Sequence, residues 1–235
     1  MRLGVAAALL MMGAGIWAAA PVPARAPARV APVADWAKAA RLNPDGTVVI
    51  GNPAAPIRLT EYLSFSCPHC ADFARASEPV LIGQMVRSGK VRIEYRPLIA
   101  DPVALGATIV AQCAAPARYL DTAGAIFTRQ DIWVPLASNF FIREARRFAA
   151  EKPLERVRIA AQSAGLYDIA REAGLSDARI AACFADARGV ARLVANADAA
   201  VKVAKGTPTF TIDGRDTGAH DWATLEPILR ARGAR

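Results

Sequence analysis

The chain has 235 residues, 54% hydrophobic and 21% charged: enough apolar material for a buried core, and too ordinary a composition for wholesale disorder. Its formal charge is +8, yet the arginines are scattered and not gathered into a stripe with aromatic neighbours, which argues against nucleic-acid binding. The densest group, Arg143, Arg146 and Arg147, follows helical spacing and reads as a solvated helix face.

The chain opens on Met1-Arg2, and Leu3 to Ala20 then carries no charged residue. This is the pattern of a secretory signal, with cleavage expected after Ala24 and export to the periplasm; an uncleaved membrane anchor is the alternative. Residues 1–24 are assigned to the signal and residues 25–45 to an Ala/Pro/Arg-rich tether with one short helix around Trp36–Leu42. Thr47-Val48-Val49-Ile50, closed by Gly51-Asn52-Pro53, predicts a strand and turn, and Ile57–Phe65 a second strand. Cys67–Arg87 reads as a helix with Phe73, Val80, Leu81 and Met85 inward and a kink at Pro79. Val91–Tyr95 alternates with period two, completing a β-α-β unit of the kind that builds parallel sheets.

From Asp101 to about Lys205 the apolar period changes to three and four, predicting helical hairpins with breaks near Asp131–Pro135, Lys152-Pro153 and Gly174. Thr209–Ile212 with Asp213-Gly214 marks a β-hairpin, and Asp221 caps a last helix that Gly233 ends. The expected architecture is α/β: residues 46–100 and 204–235 form one sheet-bearing domain, interrupted by an all-α insertion over residues 101–203.

Chemistry concentrates in Cys67-Pro68-His69-Cys70, placed where a strand hands over to a helix. At a helix N-cap the free backbone N–H groups and the positive end of the dipole favour a thiolate. Pro68 suits the first helical turn, and a protonated His69 adds positive charge. A stabilised thiolate means a stabilised reduced form, so the Cys67–Cys70 disulfide would be oxidising toward other thiols. Zinc binding normally needs a second ligand pair, which the sequence lacks, and covalent haem needs His where Ala71 stands. Cys113 and Cys183, both in predicted helices, are expected to form a structural bridge in an oxidising compartment, with two buried free thiols as the other reading. His220 reads as a surface residue with no second His expected nearby to recruit it, and Trp133 and Phe140-Phe141 as helical core or groove wall.

Glu61-Tyr62-Leu63-Ser64-Phe65-Ser66-Cys67-Pro68-His69-Cys70 resembles the active-site segment of DsbA-like thiol:disulfide oxidoreductases of the thioredoxin superfamily, and Gly206-Thr207-Pro208-Thr209-Phe210 is similar to that family's cis-proline loop. Gly51–Pro56, with Cys113 and Cys183, is similar to a bacterial subgroup that carries a second disulfide. The resemblance covers about Thr47 to Leu229. It implies a thioredoxin-like fold with a helical insertion, Pro208 in cis beside Cys67, and backbone groups of Gly206 and Thr207 free to pair with a client peptide. It also implies that Glu61 moves a proton at the resolving Cys70; a strand-face Glu61 paired with Arg96 is the plain alternative. Thr before Pro208 departs from the strongest oxidases and is familiar in isomerases, which however carry a separate N-terminal dimerisation domain; only about twenty residues lie between Ala24 and the first strand.

The resulting expectation is a periplasmic, monomeric disulfide oxidase without organic cofactor or metal. It would act on reduced exported proteins and be reoxidised by a DsbB-like quinone-linked membrane protein. The rivals are an isomerase or reductase of the same fold, and a copper or zinc metallochaperone using the Cys-Pro-His-Cys segment.

Overall fold

The computed structural model describes residues 34–235; the signal reading of residues 1–24 and the first part of the tether lie outside them. The remainder of the tether is not a tether. After a 3-10 turn at Trp36–Lys38, which replaces the expected helix, strand β1 (Ala40–Leu42) pairs antiparallel with β2 (Val48–Gly51). The turn between them is fixed by Asn43 N–H donating to the Thr47 carbonyl at 2.8 Å and by the Asp45 carboxylate accepting from both the backbone N–H and the hydroxyl of Thr47. This side-chain-to-backbone chemistry turns a Pro/Asp/Gly cluster into a hairpin.

Strand β3 (Ile57–Leu63) runs into α1 (Pro68–Ser77), which continues as a π-wound segment over Glu78–Val86 before β4 (Val91–Pro97). Pro79 falls in the first turn of the π segment, where the missing N–H interrupts regular α pairing, so the expected kink takes the form of a change of winding. A run of helices follows: α2 (Pro102–Cys113), α3 (Tyr119–Thr128), α4 (Gln130–Ala150), α5 (Pro153–Ser163), α6 (Leu166–Glu172), α7 (Asp177–Ala185) and α8 (Ala187–Val203). The expected break at Asp131–Pro135 is absent. The chain turns one residue before α4, at Arg129, passes through Pro135 as helix, and bends instead at Glu144, whose φ of −113° and ψ of 16° leave the helical region. Strands β5 (Thr209–Ile212) and β6 (Arg215–Asp216) form the hairpin, and α9 (Trp222–Ala231) starts at Asp221 with a full capping box to Thr224.

The strand order is β1-β2-β4-β3-β5-β6, with β3 and β4 parallel and the other pairs antiparallel. Gly51 ends β2 at a φ of +116°, and a Cβ there would stand 2.9 Å from the Val91 carbonyl, so only glycine fits. Glu61 sits in the middle strand, opposite Tyr95 on one side and Phe210 on the other. The buried core runs without interruption from Leu59, Ile93 and Phe210 through Leu105, Ile109, Ile126 and Leu166. The helical insertion therefore shares the core of the sheet instead of owning a separate one.

Cys113, at the end of α2, is bonded to Cys183 in α7 across 70 positions. Chain entropy for a loop of that size gives about 4 kcal/mol of stabilisation. Replacing both residues with Ser is expected to lower the unfolding free energy by about that amount, measured by denaturant melts of the oxidised wild type and the variant.

Candidate active site

Cys67 stands at the N-cap of α1 with extended backbone (φ −84°, ψ 120°), and Pro68 occupies the first helical position. The Cys67 carbonyl accepts from the N–H groups of Cys70 at 3.1 Å and Ala71 at 3.3 Å, and the His69 and Cys70 backbone N–H groups also act on its sulfur. Cys67 is partly exposed, Pro68 and His69 are exposed, and Cys70, one turn deeper, has no exposed surface. Both thiols are free. The Thr207–Pro208 peptide bond is cis, and the Thr207 carbonyl accepts from the Cys67 thiol at 3.2 Å. Residues 140 positions apart are thus joined at one sulfur, and Gly206 lies exposed beside them.

The two sulfurs are in opposite electrostatic states. Hydrogen bonding from the Cys70 thiol lowers the Cys67 pKa most, burial opposes it, and the Thr207 side chain and the Cys70 and His69 backbone N–H groups add to the lowering; the result is about 5. For Cys70 the same pairing with Cys67, then burial, then the nearby charge of Glu61 push its pKa far above the ordinary thiol value. Glu61 is 3% exposed, and burial raises its pKa from 4.5 to about 8. The plain alternative for it fails on strand geometry. Arg96 lies on the other face of β4, where it pairs with Glu94 at 2.5 Å, while Glu61 faces a cavity of about 450 Å³ with Tyr95, Tyr119 and Phe127 in its wall.

A groove of about 650 Å³ adjoins the site, walled by His69, Asp72, Phe73, Pro208, His220 and Trp222. His220 is exposed as expected, but the expectation that no second His lies near it is corrected: packing of α9 against α1 brings both histidines of the chain to one groove. Trp133 is core, with its indole N–H donating to the Ile126 carbonyl at 2.8 Å. Gln130 escaped sequence reasoning: its side-chain amide donates to the carbonyls of Phe65 at 2.7 Å and Cys67 at 2.9 Å. No spacing in the sequence links it to Cys67. Among the described residues no group of three or more His, Cys, Asp or Glu side chains is placed to hold a metal ion.

The lowered Cys67 pKa makes the reduced protein carry a thiolate down to acid pH. The ultraviolet thiolate absorbance of reduced protein is expected to titrate near pH 5 and to vanish in Cys67→Ser. Because the folded value lies below the unfolded 9.0, the stability Cys67 gives the reduced form is complete above that pH and is lost as pH falls toward 5. Glu61 has the opposite sign: folded wild type holds a proton that the unfolded chain releases above pH 4.5, so its stability falls between 4.5 and 8. Glu61→Gln is expected to gain on wild type by about 1.4 kcal/mol per pH unit across that window, and by nothing below it, in melts at a series of pH values.

The geometry has relatives. A crystal structure of protein-disulfide isomerase from Novosphingobium aromaticivorans superposes with a TM-score of 0.73 at 33% identity, covering 80% of this chain and 97% of that one. Wolbachia pipientis alpha-DsbA1 shares the fold with a TM-score of 0.62 at 21% identity, over 78% of this chain and 88% of that one. A candidate protein-disulfide oxidoreductase of Rickettsia conorii is 27% identical over 188 residues, covering 79% of this chain; the match spans 60% of the length of that curated relative. The family model described as thioredoxin matches residues 43–231, and with the cis-proline loop seated on the first cysteine of a Cys-x-x-Cys helix start, the chain belongs to the thioredoxin family.

Proposed function

We propose that the chain is an exported thiol:disulfide oxidoreductase that donates the Cys67–Cys70 disulfide to reduced client proteins. The observation that carries this is the contrast between the two sulfurs: Cys67 is accessible and held as an anion, and Cys70 is sealed and held as a thiol. A client thiolate attacks Cys67 Sγ of the disulfide; the client–Cys67 bond forms, the Cys67–Cys70 bond breaks, and Cys70 leaves. The leaving sulfur takes a proton, for which Glu61, protonated below about pH 8, is the nearby source. A second client thiolate then attacks the client sulfur of the mixed disulfide and expels Cys67 as the stable thiolate. Two electrons have passed from the client to the enzyme, and a client disulfide has formed. The cis-proline loop leaves Gly206 and Thr207 backbone groups beside Cys67 to pair with an extended client segment.

Export to the periplasm is supported by the uncharged run Leu3–Ala20 and by the Cys113–Cys183 bridge, which persists in an oxidising compartment. Regeneration then calls for a membrane protein of the DsbB kind that passes the two electrons to quinone, and the chain acts as a monomer. An isomerase role is the second reading, favoured by Thr207 before Pro208 and by the Novosphingobium relative named a protein-disulfide isomerase.

Refolding of reduced ribonuclease and of scrambled ribonuclease, run side by side, separates the two. The expected outcome is fast oxidation of the reduced substrate, weak rescue of the scrambled one, and loss of both in Cys67→Ser. Stronger rescue of the scrambled substrate than oxidation of the reduced one would replace the oxidase with the isomerase.

A further inference from the structure

Gln130 is the first residue of α4, inside the helical insertion, and is 9% exposed. Its amide nitrogen bonds two carbonyls that flank Ser66, across 65 and 63 positions of sequence. Four further contacts pin the elbow that presents it. Ile132 and Trp133 N–H groups donate to the Arg129 carbonyl at 2.9 and 3.0 Å, the Trp133 indole N–H donates to Ile126, and the Arg129 guanidinium pairs with Glu172 of α6. The amide is therefore delivered to the strand-to-helix turn by a rigid corner of another segment. Ser66 and Cys67 are the residues whose conformation that turn decides.

The chemistry of the contact is directional. The Cys67 carbonyl already accepts two helical N–H groups, and the Gln130 –NH2 adds a third donor beside the reacting residue. The –NH2 brings partial positive charge to a place where two carbonyl oxygens otherwise present negative charge. It also removes freedom from the turn that aims the sulfur at the cis-proline loop. Fixed dipoles of this kind act strongly where burial lowers the local dielectric.

We propose that Gln130 is a positioning residue for Cys67: by bonding the Phe65 and Cys67 carbonyls it locks the active-site turn and shifts the thiol–thiolate balance of the reacting sulfur, so that the helical insertion sets the redox character of the site. The proposal rests on Cys67 being the reacting sulfur. It predicts a division of labour in which the first helix provides the free N–H groups and the insertion provides the donor that holds them in register with the sulfur.

The test uses full-length Gln130→Leu, which keeps the bulk and removes the donor, beside Trp133→Phe, which loosens the same elbow without touching Cys67. For each, the thiolate titration, the equilibrium constant against glutathione and the melting temperature are measured. Gln130→Leu is expected to raise the Cys67 midpoint by about half a pH unit or more, roughly a three-fold loss of thiolate on the acid limb, and to make the disulfide less oxidising by a similar factor. Trp133→Phe, which keeps the amide but loosens its support, is expected to lower the melting temperature and to raise the midpoint by less than Gln130→Leu does. A Gln130→Leu midpoint and glutathione constant equal to wild type would overturn the proposal, whatever the melting temperature. If that variant does not fold, Gln130→Glu serves: its carboxylate must raise the midpoint, and an unchanged value overturns the proposal equally. A wild-type constant on the reducing side would instead sink the oxidase reading, while the difference between wild type and variant would still decide the role of Gln130.

Discussion

A half-exposed sulfur at the start of α1, its pKa pulled down to about 5, and a sealed thiol one turn below it, its pKa pushed up, are the constraint that organises the rest of the molecule. The two atoms belong to residues three apart, so they share a helix, yet their surroundings differ completely. Cys67 meets free N–H groups, solvent and the cis-proline loop, while Cys70 meets Glu61 and the packed core behind the sheet. A helix N-terminus alone would favour both sulfurs to some degree. The asymmetry arises because Cys70 lies on the buried stripe of α1 with Ala71, Phe73 and Ser77, while Pro68 and His69 are exposed and Cys67 is partly so. Phe73 against Phe210, at 4.4 Å between ring centroids, seats that stripe on the sheet.

The insertion takes part in this arrangement and is more than an appendage. Its helices share the buried core with the sheet, and Phe127 of α3 packs on Phe65 just ahead of Cys67, with ring centroids 4.9 Å apart. Gln130 reaches the same turn with two hydrogen bonds. The Cys113–Cys183 bridge ties α2 to α7 and so braces the helices that carry α3 and α4 into place. The packing of the insertion is thereby joined to the turn that carries Cys67 through short contacts.

Glu61 shows how one residue can be placed by strand alternation and defined by burial. Along β4, Val91, Ile93 and Tyr95 point inward and Glu94 and Arg96 outward, and Glu61 lies in register with Tyr95. It is an acid on the inner face of the central strand. Burial there raises its pKa to about 8, and its charge in turn acts on Cys70.

Local signals in the chain settled much of this. Period-two and β-branched runs placed β2 to β5, the helical period marked the insertion, Asp221 marked the cap of α9, and Cys67-Pro68-His69-Cys70 read as a strand–helix junction carrying the candidate site, because each depends on neighbours within a few residues. What depends on distant partners was illegible. The edge strand β1 forms only because Val48–Ile50 is there to pair with it; α4 continues through Pro135 while a turn residue, Arg129, takes the break. The choice between an inward and an outward Glu61, the placing of His69 and His220 on one groove, and the reach of Gln130 to Cys67 were likewise decided by packing alone. Composition and period constrain which residues are buried, but which buried residues meet is fixed only when the sheet and the insertion close on a common core.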